Sequence, residues 1–211
     1  MLDFYTWTTP NGRKVSIMLE ELGLDYEVHP IDIGAGDQKA AEFMEIAPSG
    51  KIPAIRDRET GMTLMESGAI CLWLAETHGR FWPDDARWEV LEWSMYQMGQ
   101  AGPYLGAAHQ FLHYHPDTSG EFGQARSRRQ VDEVYSTLNR RLADRDFIAG
   151  SGRGEYTVAD ILTWPWIASF PHHQADLNAY TAVRDWYLRI ADRPAVQRGY
   201  NVPKPAEIRR P

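Results

Sequence analysis

Hydrophobic and polar positions alternate at the start of the chain. Leu2, Phe4 and Thr6 fall on one side of a period-two pattern and Asp3, Tyr5 and Trp7 on the other, which predicts a strand. Thr8 to Gly12 has loop composition. The period then changes: Val15, Met18, Leu19 and Leu22 recur at helical spacing, and Gly23 is a suitable stop. Tyr26 to Ile31 reads as a second strand, parallel to the first because a helix connects them. Gln38 to Met44 reads as a short helix.

The next stretch organises the first half. Ile52 to Asp57 predicts a strand, Arg58-Glu59-Thr60-Gly61 a tight turn, and Met62 to Met65 its antiparallel partner. Glu66-Ser67 opens the apolar run Ala69 to Ala75, which reads as a helix with a hydroxyl cap. Pro53 cannot donate to a ladder, so it lies on an edge or is bent away by a cis bond. If it bends, the backbone of Ile52 is open to an extended peptide, and the helix start at Glu66-Ser67-Gly68 offers N–H groups to a carboxylate. A plain hairpin followed by a helix is the other reading of the same spacing.

Beyond His78 to Asp85 every pattern is helical. Trp88, Leu91, Met95 and Met98 form a stripe that ends near Gly102-Pro103, and Tyr104 to Tyr114 reads as a continuation. Val131, Val134, Tyr135, Leu138 and Leu142 make the clearest helical face. Thr157 and Asp160 have capping-box spacing, and loss of that cap costs about 1 kcal/mol or more. Pro165 kinks the helix it opens or sits in its first turns. Val183, Trp186, Tyr187 and Ile190 form the last helix, closed by Arg193-Pro194. The fold class is therefore α/β plus all-α. The expected organisation is a sheet domain over residues 1–80, a linker over 81–86, a helical domain over 87–200, and a surface tail over 201–211.

Charge and composition narrow the function. The net charge of −7 in 211 residues, of which residues 1–80 carry −6, argues against nucleic acid as a partner. No apolar run approaches membrane-spanning length. Cys71 is the one cysteine, so no internal disulfide forms, which fits a reducing cytoplasm. Its place in an apolar helix run favours a buried, inert thiol. His109, His113 and His115, and His172-His173, lack metal spacing, so no metal site is expected.

The order of elements, with Ile52-Pro53, Glu66-Ser67 and Thr157-x-x-Asp160 in register, resembles the cytosolic glutathione transferases over nearly the whole chain. Thr9-Pro10-Asn11-Gly12-Arg13-Lys14, Glu20-Glu21, Ser49-x-Lys51-Ile52-Pro53 and Trp164-Pro165-Trp166 are most similar to the bacterial Nu class, whose members act as glutathione-dependent disulfide reductases. The resemblance implies a thioredoxin-like N-terminal domain, an all-helical C-terminal domain, and a symmetric homodimer. It also implies roles. Ile52 before cis-Pro53 pairs with the cysteinyl part of glutathione. Glu66 and Ser67 hold the γ-glutamyl end, and Lys51 and Gln38 the glycyl end. Thr9 and Asn11 sit near the sulfur as catalytic donors. Arg128 faces the mouth of the site, where a second glutathione lies.

A thiol of ordinary pKa, about 8.5, is mostly protonated at neutral pH, so such an enzyme must stabilise the thiolate with donors and a helix start. Thr9, Asn11 and the N–H groups at Asn11–Gly12 are the candidates, with Tyr5 ranked below them. The partners implied are glutathione or glutathione disulfide and a small hydrophobic electrophile or disulfide, with Tyr104, Phe111, Trp166 and His109 as candidate pocket walls that core packing explains equally well. The rival class is a non-catalytic binding or regulatory module on the same fold.

Overall fold

The computed structural model describes residues 1–211, and the chain divides into two compact units: Met1–Arg80 with Asp192–Ile208, and Phe81–Ala191 with Arg209–Pro211.

The first unit runs β1 (Leu2–Thr6), α1 (Pro10–Leu22), β2 (Tyr26–Pro30), α2 (Ala41–Ile46), β3 (Ala54–Asp57), β4 (Thr63–Met65) and α3 (Ser67–His78). The sheet order is β2-β1-β3-β4, with β1 and β2 parallel and β3 antiparallel to both its neighbours. Pleat alternation divides the core. Phe4 is buried on one side of β1, and Tyr5 packs on the other with Phe43 of α2, Ala54, Ile52 and Met65. Gly23 ends α1 in the left-handed conformation at φ 68°, its N–H returning to Glu20 O. At the hairpin turn the Asp57 carboxylate accepts from Glu59 N–H and Thr60 Oγ1, both at 2.9 Å.

Three boundaries differ from the sequence pattern. β3 starts at Ala54 and not Ile52, because Pro53 has no N–H to give the ladder. The helix read over Gln38 to Met44 is a 3-10 turn, Asp37–Lys39, then α2, separated by extended Ala40. The hydroxyl cap expected of Ser67 is not formed. Glu66 is the N-cap residue and Ser67 is already helical, so its hydroxyl turns elsewhere.

The second unit runs α4 (Arg87–Tyr96), α5 (Gly102–Ala108), α6 (Gly120–Arg141), α7 (Val158–Ile167) and α8 (Thr181–Ala191). Residues 97–101 and 109–114 are π-helical, so 87–114 is one continuous helical rod that does not end at Gly102-Pro103. Pro103 falls in the first turn of α5, next to a π turn that has already shifted the hydrogen-bond ladder. The apolar stripe read over Trp88 to Met98 is split, with Leu91 and Met98 half-buried and its other two members exposed. Val90, Ser94, Gln97 and Ala101 are buried, whereas Trp88 is 78% exposed and Met95 49%. The stripe on α6 is core as read, from Val131 to Leu142. The capping box at Thr157 forms. Asp160 is wholly buried: Oδ1 accepts from Ile148 N–H at 3.0 Å and Trp186 Nε1 at 2.8 Å, and Oδ2 from Thr157 N–H at 3.0 Å and Thr157 Oγ1 at 3.2 Å. Burial pushes its carboxyl up to about 6 against those four hydrogen bonds.

A further helix, α9 (Pro194–Tyr200), returns to the first unit and packs along α1. The pattern had carried the helical domain through residue 200, with Pro194 as a stop. Proline is also favoured at a first helical position, and here it starts a helix. Gly199 allows the approach: a Cβ there would lie 2.7 Å from the Ile17 backbone. Ser16 Oγ donates to Gly199 O at 2.7 Å, Arg193 grips Glu21 with Nε and Nη2 at 2.6 and 2.8 Å, and Arg198 Nε meets Glu20 at 2.6 Å. The tail is tied down too. Ala206 N–H donates to Asn201 Oδ1, and the Lys204 ammonium sits 4.0 Å over the Trp7 ring.

Candidate active site

Sheet register fixes where the site residues meet. Tyr5 is paired with His29 on one side and Ala54 on the other, and Ala54 with Met65, so His29, Tyr5, Ala54 and Met65 form one row across four strands. Beyond that row, at the carboxyl ends of the parallel strands, β1 leads to Thr9 and Asn11, Ile52-Pro53 leads into β3, and β4 leads to Glu66 and Ser67. In open α/β sheets this end is where ligands bind. The Ile52-Pro53 bond is cis, and Ile52 stands outside the ladder, which begins at Ala54.

Thr9 is the N-cap of α1. Its Oγ1 accepts from Gly12 N–H at 3.1 Å, and its hydroxyl hydrogen is still a donor. The Gly12 N–H, expected to point at a ligand, is thus engaged by Thr9. Asn11 is half-buried in the first turn, behind Pro10, which has no N–H. Gly12 cannot be larger: a Cβ would lie 2.4 Å from Thr6 Oγ1 and 2.5 Å from Trp7 O. Tyr5 lies away from this turn, stacked on His29 at 4.7 Å and tilted against Phe43, and burial raises its phenol.

At the other helix start, Glu66 has φ 72° and ψ 112°, a conformation that costs a non-glycine residue of order 1–3 kcal/mol. It leaves the Glu66 side chain exposed while its carbonyl accepts from Ile70 N–H at 2.9 Å. The N–H groups of the first turn of α3 have no partners within the helix. Ser67 is buried, and its Oγ faces the Lys14 ammonium of α1 at 3.5 Å.

A third group comes from the loops. A Cβ on Gly50, at φ 58°, would lie 3.0 Å from Lys39 Nζ and 3.1 Å from Gln38 O, so the Gly50-Lys51 turn rests on the Gln38-Lys39 turn. Lys51 is exposed. Gln38 donates through Nε2 to Ile33 O at 3.4 Å, while its buried Oε1 has no partner.

Arg128 is on α6 in the second unit, exposed, with Nη2 on Gln124 Oε1 at 3.1 Å. In the same unit the two histidine groups join. His109 Nε2 is 3.0 Å from His173 Nε2, His173 Nδ1 is 2.8 Å from Tyr135 Oη, and His113 stacks on His172 at 3.9 Å. Burial and the neighbouring imidazoles lower His109 to about 4. Cys71 is fully buried, and burial pushes its thiol up to about 12. Asp3, Glu27 and His29 also cluster, and the Arg58 guanidinium bridges the two carboxylates.

Sequence reasoning passed over Lys14 and Lys39. The signal for Lys14 was present: it stands four residues before Met18, on the face of α1 that is buried.

The chain matches the family models described as the N-terminal domain of glutathione S-transferase, over residues 8–77, and the C-terminal domain, over residues 121–189. It is 39% identical over 202 residues to the disulfide-bond oxidoreductase YfcG of Escherichia coli, covering 92% of each chain. It is 38% identical over 216 residues to the disulfide-bond oxidoreductase YghU of the same organism, covering 94% of this chain and 73% of that one. A crystal structure from Pseudomonas putida, a glutathione transferase with one glutathione disulfide bound per subunit, superimposes with a TM-score of 0.90 at 34% identity, covering 96% of this chain and 91% of that one. One from Burkholderia graminis, with two glutathione molecules bound per subunit, gives 0.88 at 35%, covering 97% and 89%.

Proposed function

The chain belongs to the glutathione S-transferase family, and on that footing we propose that it is a glutathione-dependent disulfide-bond reductase that activates the thiol of bound glutathione. The observation that carries this reading is the row His29–Tyr5–Ala54–Met65, which directs two helix starts and the Ile52-Pro53 turn to one end of the sheet. An extended tripeptide with carboxylates at both ends suits such a place. Ile52 offers main-chain groups to the cysteinyl residue, Glu66 and Ser67 take the γ-glutamyl end, and Lys51 and Gln38 take the glycyl end.

Cys71, buried and held protonated, is no nucleophile. The reactive sulfur therefore comes with the substrate. The Thr9 hydroxyl and Asn11, at the start of α1, stabilise its thiolate. That thiolate attacks one sulfur of a disulfide, forming a mixed disulfide and expelling one thiolate. A second glutathione thiolate then attacks the glutathione sulfur of the mixed disulfide, giving glutathione disulfide and the second thiol. Relatives that hold two glutathiones or one glutathione disulfide per subunit support this course, and Arg128 is our candidate for the second tripeptide. The Nu-class assignment, a cytoplasmic setting, and a homodimer in which exposed Trp88 and Met95 meet a second copy complete the proposal.

The test is glutathione oxidation with 2-hydroxyethyl disulfide, beside conjugation to a chlorinated nitroarene. The Thr9→Ala, Asn11→Ala double variant is expected to lose about a hundredfold in kcat/KM while still binding glutathione. Unchanged rates would overturn the placing of the chemistry. Tight glutathione binding without turnover in either assay would favour the non-catalytic module.

A further inference from the structure

Four of the seven histidines meet within the second unit. They come from two segments, the π-helical turn His109–Tyr114 and the 3-10 turn Phe170–His173. His109 is 7% exposed and His173 1%. Their Nε2 atoms lie 3.0 Å apart, and such a contact holds one hydrogen: one ring donates and the other accepts. Two neutral imidazoles meet that condition. Two imidazolium ions do not, because each sets an N–H and a positive charge against the other. His173 Nδ1 is engaged with Tyr135 Oη at 2.8 Å, so its ring cannot turn aside without breaking that bond. On the outer side, His113 and His172 lie face to face, 3.9 Å apart and 10° from parallel, and His172 stands edge-on to His109 at 5.2 Å.

The charges that act on His109 are those of His172 and His113, and on His173 those of His109 and His172. The other titratable groups around the pair are phenols: Tyr114 on the same turn as His109, Tyr135 from α6, and beyond it Tyr180 and Tyr187 of α8. Asp132, reached through Tyr180, accepts from Tyr180 Oη at 2.7 Å. From α7 comes the Trp166 ring, 5.3 Å from His109. His29 in the first unit shows the alternative, an imidazole 2.8 Å from the Asp3 carboxylate.

We propose that this cluster is an acid-released latch: neutral imidazoles hold the turn 109–114 on the turn 170–173, and protonation of the buried pair frees it. Gln174 Nε2, donating to Leu112 O at 3.2 Å, also joins the two segments. Turns of the π type are rare and recur at functional sites. This one carries exposed Phe111 and Tyr114, so its release changes the apolar surface of the unit. Burial and the neighbouring imidazoles hold His109 down at about 4 and His173 well below its ordinary value. In the released segment both return to about 6.5. The released state therefore binds up to two more protons, and its share rises as pH falls from about 6.5 toward 4. Above about pH 7 the latch is at full strength.

The experiment is hydrogen exchange of the full chain, read by mass spectrometry at pH 7 and pH 5 with the intrinsic exchange rates divided out. Amides of 109–115 and 172–175 are expected to lose protection about 500-fold at the lower pH, and those of α7 and the sheet less than about tenfold. His109→Gln retains a group that can pair with His173 Nε2 but cannot take up a proton, so the loss is expected to shrink to about 25-fold. Equal protection at both pH values overturns the latch. So does a loss spread evenly over the chain, or one undiminished in His109→Gln. Should that variant not fold, the imidazole signals of the wild type in an NMR titration decide. Rings of His109 and His173 that stay neutral until the amides lose protection support the latch, and rings that gain protons near pH 6.5 while the amides stay protected overturn it. No glutathione is needed, so failure here leaves the proposed function untouched.

Discussion

Among the buried charged side chains, Asp160 and Lys14 are the two that lie almost wholly out of solvent, one in each unit, and they are held in different ways. Asp160 has four donors, all from residues that fix the start of α7 and its neighbours, Thr157, Ile148 and Trp186. Lys14 is held on the inner face of α1, where one of its contacts is to the Ser67 hydroxyl at 3.5 Å, beside a helix start of like sign. A buried charge whose hydrogen bonds close upon themselves belongs to the fold. One set beside a helix end of its own sign is a cost to the fold.

That contrast can be broken most directly at Asp160. Asp160→Ala orphans four buried donors and should lower stability by roughly 3–5 kcal/mol in urea unfolding. A loss under about 1 kcal/mol would mean that the network is ornamental. Lys14→Met should act in the opposite direction, raising stability at pH 6, where the folded wild type must bury an ammonium, by roughly 1–4 kcal/mol. Between about pH 7 and the ordinary lysine value the unfolded chain holds a proton that the folded chain has released. Wild-type stability therefore rises with pH across that window, and the advantage of the variant should shrink toward pH 10. An advantage independent of pH would refer the effect to packing alone. The smallest effect is expected for a half-exposed charge. Arg193→Ala, which releases Glu21, should cost about 1 kcal/mol or less in the same unfolding assay, and less still at high salt.

The sheet was legible in the sequence because its signals are local. A period of two, Gly23 as a stop, and the Asp57–Gly61 turn each act over a few residues, and the hairpin register then carries Ile52 and Glu66 to the same end. The stripes of α6 and α8 were legible because nothing competes with them. The rotation of α4 was not: Trp88 and Met95 lie outside, Leu91 and Trp93 are half-buried, and the buried face is built from Val90 and Ser94 and continues beyond the helix in Gln97. The helix at 194–200 was hidden because proline marks both stops and starts, and what stabilises it is α1, some 180 residues away. Lys14 was passed over because a lysine in a pattern reads as surface, although its place four residues before Met18 sets it on the buried face of α1. The union of His109 with His173 is likewise a product of tertiary packing between segments that share no local signal.

The return of residues 192–208 to α1 has a consequence for synthesis. When the first 80 residues leave the ribosome they already hold the entire sheet, yet the groove along Ser16 and Ile17 that receives Gly199 is still bare. The nascent sheet must wait, with that seam open, until residues 192–208 have been translated.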